Sequence, residues 1–260
     1  MKYFCIKIFV ILVSVLVYCG CPSISLKDEK EITRKPEIII HIASLNLGNL
    51  NKRIEQKYIV ELAKVLKREQ VEVLAVQGIS RYLGVASRVD FVNELSVQTD
   101  WRNAFGEMMN ISGRQTGNAV FSSYPILSQH NQTFDHLKRA SFEAALQATI
   151  DAGIRSLVVV SVQMPPKATE EEEAQCMQII AASNSDGNNQ TTVITGNLSS
   201  SEAVRTSNSF TEVPQSEFER GTTPSVWYSA NASFQLLASR TVRTELGSLI
   251  IAQLGLFRQK

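Results

Sequence analysis

Imidazole is the side chain best suited to move a proton near neutral pH. This chain has only three histidines, His41, His130 and His136. His41 lies in a β-branched run and reads as an interior or edge histidine rather than a base. His130 and His136 flank the loop before Arg139. Asp135 stands beside His136, but neighbours in sequence rarely face one another, so both histidines are expected at the surface. Arg139 is suited either to an anion or to a structural ion pair. Glu170 to Glu173 follow Thr169 in a capping-box pattern, where acidic residues suit the positive end of a helix dipole. Asp186-Gly187 reads as an ordinary turn, and Cys176 as buried packing in an amphipathic helix.

The four cysteines have a different message at the N-terminus. Lys2 and Lys7 precede an apolar run, Ile8 to Tyr18, broken only by Ser14 and too short for the roughly 20 residues that span a bilayer. It is the right length for the apolar region of a secretory signal. Gly20-Cys21 then resembles the lipobox of bacterial lipoproteins, in which the cysteine is acylated and becomes the mature N-terminus; Tyr18 stands where that pattern usually has Leu. The resemblance implies a signal over residues 1–21 and an exported protein of the bacterial cell envelope, held to the membrane by a lipid on Cys21. Processing there removes Lys2, Lys7, Cys5 and Cys19, leaving 24 basic against 25 acidic residues, a net −1, from the 26 and 25 of the full chain. With Cys21 acylated only Cys176 remains, so no internal disulfide is expected and the core must hold the fold. Residues 22–36 are polar, lack periodicity and read as a tether.

The remaining span, 37–260, must position whatever chemistry exists. The chain is 44% hydrophobic and 20% charged, which excludes a disordered chain, and its near-zero net charge offers no bulk grip on nucleic acid. Glu37 to Leu47 reads as a buried strand, and Asn51 to Gln70 as a helix with Ile54, Ile59, Leu62, Ala63 and Leu66 on one face. VEVLAVQGI is another strand, Arg88 to Val97 a short helix, and Trp101 to Met109 an edge-like stretch. GNAVFSSYPI, SFEAALQATID and IRSLVVVSVQM give three strands, the last two joined by a turn at Asp151-Ala152-Gly153. A helix from Thr169 to about Ser183 and the strands NNQTTVITGNL, SVWYSANASFQLL and SLIIAQLGLF follow. Strands outnumber helices, and hairpins mix with long crossovers, which indicates an α/β or α+β layered sandwich.

The order SLNLGN (44–49), VLAVQGIS (73–80), GNAVFSSYPI (117–126), Arg139, VVVSVQM (158–164), VITGNLS (193–199) and LGSLIIAQL (246–254) resembles the endonuclease/exonuclease/phosphatase superfamily, the deoxyribonuclease-I-like fold. GNAVFSSYPI carries the most specific match. The resemblance implies a four-layer α/β sandwich, two mixed sheets flanked by helices, and metal-dependent hydrolysis of phosphodiesters or phosphomonoesters.

That chemistry needs a base, a metal held by carboxylate oxygens, and donors for phosphoryl charge. The residues at the corresponding positions depart from the family pattern. Asn46, Gln77, Asn118 and Arg139 are kept; Asn46 and Asn118 are expected to fix strand-end backbone through their amides. The metal-binding Glu is replaced by Gly78, the first catalytic His by Gln163, and the water-activating Asp by Asn197, with Ser199 in place of a phosphate-contacting Asn. Gly247 and Ser248 stand where the family has its terminal Asp-His pair, and Ser225-Val226 near its late Asp. No other register supplies them, because no histidine follows His136 and no aspartate follows Asp186. The expectation is a non-catalytic member with no cofactor, binding an unidentified protein or small molecule rather than nucleic acid. The alternative is a Mg²⁺- or Mn²⁺-dependent phosphoesterase with a site rebuilt around Asn46, His136 and Arg139.

Overall fold

Valine and isoleucine crowd the strands because branching at Cβ restricts the side chain to rotamers that suit a pleated surface. In the computed structural model they build two six-stranded sheets. The structure describes residues 35–48, 54–82, 89–134, 144–164, 169, parts of 171–180, 191–197, 210–215 and 224–258 except 232. The chain divides after Lys35, and every element below belongs to the unit that begins at Pro36.

The strands are β1 (Ile38–Asn46), β2 (Val73–Tyr82), β3 (Arg102–Ile111), β4 (Arg114–Ser122), β5 (Ile126–Thr133), β6 (Ala144–Asp151), β7 (Ser156–Gln163), β8 (Thr191–Asn197), β9 (Phe210–Glu212), β10 (Ser225–Ser229), β11 (Phe234–Thr244) and β12 (Gly247–Leu256). The first sheet runs β11-β12-β1-β2-β4-β3 and the second β5-β6-β7-β8-β10-β9. Each sheet holds one parallel pair, β1 with β2 and β7 with β8, among antiparallel neighbours. Both sheets are therefore mixed.

Alternation along β1 separates two cores. Ile40 and Ile42 point between the sheets, where they meet Leu146, Val159 and Val193 of the second sheet. Ala43 and Leu45 point the other way, against α1 (Gln56–Arg68) and α2 (Phe91–Thr99). Ile59, Leu62 and Leu66 of α1 and Phe91 and Leu95 of α2 are buried there, each contributing at most about 1.5–3 kcal/mol. The outer face of the second sheet carries Val160, Val162, Ile194 and Trp227, packed with Ile180. The architecture is the α/β sandwich expected from the sequence.

Local chemistry sets the helix ends. Asp90 caps α2, its Oδ1 accepting from Val92 N at 3.0 Å and Asn93 N at 3.2 Å. Gln70 takes φ 56° after α1, and Val71 N donates to Leu66 O at 2.9 Å, closing the last turn. Both helices are displaced from their sequence expectations: α1 starts at Gln56 instead of Asn51, and α2 runs Phe91–Thr99 instead of Arg88 to Val97. Thr169 and Glu172 do form the reciprocal capping box, Thr169 N donating to Glu172 Oε2 at 2.7 Å and Glu172 N to Thr169 Oγ1 at 3.3 Å. Cys176 lies outside the residues whose side chains are described.

Two expected single strands are each divided between sheets. GNAVFSSYPI leaves the first sheet at Ser122 and enters the second at Ile126. The break falls at Ser123-Tyr124-Pro125, where proline restricts the residue before it and cannot donate to a ladder. SVWYSANASFQLL likewise splits into β10 and β11, turned by Asn231, whose Oδ1 accepts from Ser233 N at 2.9 Å. The three-residue β9 has no counterpart in the expectation.

Candidate functional site

Two parallel pairs end at the same pole of the sandwich. In the first sheet Asn46 lies opposite Gln77, and in the second Gln163 lies opposite Asn197. A parallel pair must be joined by a long crossover, so each pair leaves two strand ends open for loops. Asn46, Gln77, Gly78, Gln163 and Asn197 are thus brought to one region from four strands. Asn197 is placed by its backbone alone.

Asn46 turns back on its own chain, its Oδ1 accepting from Gly48 N at 2.8 Å. A Cβ built on Gly48 would lie 3.2 Å from both Asn46 Oδ1 and Gln163 Oε1. The two amides therefore flank this glycine across the two sheets. Gln163 Nε2 donates to Met164 O at 3.2 Å, while Gln163 Oε1 is buried without a hydrogen-bond partner.

Gly78 sits at φ +71°, a conformation that favours glycine. A Cβ there would come within 2.5 Å of Gly48 Cα and 2.6 Å of Gly48 N. Backbone of the β1 loop occupies the space a side chain at position 78 would need. Gly247 closes the same end: its position at φ +131° places a hypothetical Cβ 3.9 Å from Asn46 O. Thr244 pairs with Gly247, so only Glu245 and Leu246 turn the β11–β12 hairpin. Ser225 pairs with Gly196 beside the end of β8.

Beneath these ends lies a buried polar network. Gln77 Nε2 donates to Ser161 Oγ at 3.0 Å, Thr195 Oγ1 at 3.2 Å and Ser44 Oγ at 3.3 Å. Asn118 Nδ2 donates to Ala144 O at 2.9 Å and Ser161 O at 3.2 Å, and its Oδ1 accepts from Gly78 N at 3.4 Å. All five side-chain bearers are fully buried. Asn118 therefore stitches one sheet to the other from within β4, whereas the expectation put it at a strand end; Asn46 does fix strand-end backbone. Gln77 has the same stitching role.

Sequence reading missed Gly48, Ser44, Ser161 and Thr195. A signal was present: Ser44, Ser161 and Thr195 each precede an amide residue, Asn46, Gln163 or Asn197, by two positions. Period-two geometry turns such pairs to one face of a strand.

The remaining expected residues fall elsewhere. His41 stands five residues before Asn46 on β1, toward the opposite pole. His130 is exposed on β5, opposite Gln147, at the surface as expected. Ser248 is the second residue of β12, opposite Arg243. Cys21, His136, Arg139 and Ser199 lie outside the described residues.

A divalent metal wants several hard oxygen ligands, usually including carboxylates. The described strand-end groups are neutral amides, hydroxyls and glycines, and Asn46 Oδ1 already accepts an N–H. Among the described residues no three His, Cys, Asp or Glu side chains gather into a metal-holding group. Magnesium or manganese does not fit this donor set.

No protein-family model and no curated protein matches the sequence. Solved structures do match in shape. An endonuclease/exonuclease/phosphatase family protein from Leptotrichia buccalis is similar with a TM-score of 0.63 at 14% identity, over 82% of this chain and 98% of that one. The endonuclease/exonuclease/phosphatase from Beutenbergia cavernae gives 0.64 at 12% identity, over 86% and 72%. The human nocturnin catalytic domain, solved with a bound sulfate anion, gives 0.65 at 11% identity, over 86% and 100%. The two sheets and their order along the chain are thus the fold of endonuclease/exonuclease/phosphatase proteins.

Proposed function

We propose that this chain is a non-catalytic member of the endonuclease/exonuclease/phosphatase superfamily, exported and lipid-anchored, that acts as a binding module in the bacterial cell envelope. One observation carries the loss of catalysis. The position that the resemblance assigns to the metal-binding glutamate is Gly78, and the Leu47-Gly48 backbone fills the space beside it. Position 78 therefore has neither a side-chain oxygen nor room for one. Gln163, Asn197, Gly247 and Ser248 support the same reading, because none can carry the charge or basicity of the Asp and His groups they replace. The polar network of Gln77 and Asn118 supports a kept fold, since its task is to join the sheets.

The test pairs metal binding with turnover on the full chain. Thermal melting with Mg²⁺, Mn²⁺ or Ca²⁺ should show no stabilisation, and nucleic acid, a phosphodiester and a phosphomonoester should not be hydrolysed. Metal-dependent turnover lost on changing Asn46 or Arg139 would support the rebuilt hydrolase instead. Anchoring is tested separately by mass spectrometry of the mature N-terminus, which should carry an acylated Cys21; a free Pro22 or an intact Met1 refutes it.

A further inference from the structure

At the opposite pole, where β1 and β2 begin, lies a cleft of about 670 Å³, within the roughly 300–1,000 Å³ of small-molecule sites. Val60 and Ala63 of α1 and Trp101 form its accessible apolar wall. Ile39, 43% exposed, extends that wall to the surface. Lys64 and Lys67 of α1 stand on the lining, and His41 lies beside Glu72.

The polar groups are not equally free. Tyr124 donates its hydroxyl to Glu72 Oε1 at 2.8 Å, and the His41 backbone N–H donates to Glu72 Oε2 at 3.0 Å. Burial, then the contact with Glu72, push the Tyr124 pKa up, so this donor persists across physiological pH. Both carboxylate oxygens of Glu72 are thereby engaged. Lys64 is bound to Glu61 at 2.7 Å. The His41 ring faces the Glu72 carboxylate, its Nδ1 lying 3.7 Å from Glu72 Oε2. Lys67 has no ion pair among the described residues. Its ammonium is the uncommitted group on the described lining that complements negative charge.

We propose that this cleft binds a small amphipathic acid, its alkyl or aryl body against Ala63 and Trp101 and its anionic head on Lys67. The site is separate from the strand ends discussed above and independent of the proposed loss of catalysis. The test titrates the full chain in dilute detergent with naphthoate and with uncharged naphthol, reading heat against detergent alone. Naphthoate should bind more tightly than naphthol. Lys67→Glu should weaken naphthoate by about tenfold or more, as loss of one charge-assisted contact implies, and leave naphthol unchanged. Ala63→Trp, which fills the cleft, should abolish both. Lys67 is exposed, so its variant keeps the test decisive even where the tryptophan disturbs packing. Absence of naphthoate heat, equal binding by Lys67→Glu, or a preference for naphthol overturns the proposal.

Discussion

Gly78 combines a φ of +71° with a Cβ position 2.5 Å from Gly48 Cα, so any side chain there must both strain the backbone and push a loop aside. Gly78→Ala should therefore destabilise the fold by roughly 2–4 kcal/mol, measured by chemical denaturation. A Gly78→Glu variant should lose at least as much and gain no Mn²⁺ binding. Gln77 acts through the opposite means, as the one amide that three hydroxyls share. Gln77→Leu should cost about 1–3 kcal/mol by leaving buried polar atoms underpaired, and an unchanged denaturation midpoint would remove its stitching role. Residue types at these positions were readable as departures from a catalytic pattern. That Gly48 meets Gly78 was not, because the contact depends on the course of the backbone beyond β1, which has no signature in either glycine.

Among the elements, the strands were legible wherever apolar residues clustered between turn signals, as in β1, β7 and β12. Boundaries were lost where an apolar run passes from one sheet to the other. Tyr124 and Ile126 both pack on the core between the sheets, so hydrophobicity alone gives no sign of the break at Pro125. The β10–β11 passage is hidden in the same way by Tyr228 and Phe234, whose rings meet edge to face at 6.1 Å. The element contacts also make a pH prediction. Arg240 of β11 donates to Glu69 Oε2 and Glu69 O, each at 2.9 Å, tying that strand to the end of α1. Hydrogen bonds from Arg68 and then Arg240 hold the Glu69 carboxyl below the usual carboxylate range. Because the native pKa is depressed, this contribution is present above the unfolded carboxylate pKa of about 4.3. It fades as pH falls through the native value. Arg240→Ala should cost about 0.5–1 kcal/mol at neutral pH, as for a partly exposed pair, with the gap to the parent narrowing in acid. A gap that is constant from neutral to acid pH contradicts that assignment.

At the scale of the molecule, the sandwich places two different kinds of surface at its ends. Strand ends that would hold charged catalytic groups in the resemblance present amides, hydroxyls and glycines, joined below by a network of fully buried side chains. The other pole holds a cleft lined by Lys67 and by the ion-paired Lys64 and His41. In sequence His41 read as an interior or edge histidine, and its ring does stand beside the Glu72 carboxylate; nothing local reveals the cleft next to it. The central claim, a kept fold without phosphoryl-transfer chemistry, is tested most directly by single-turnover hydrolysis of bis-nitrophenyl phosphate by the full chain in Mn²⁺, followed as nitrophenolate release. The account predicts a rate equal to that of metal and buffer alone. A Mn²⁺-dependent rate above that background, falling in Asn46→Ala, would contradict it.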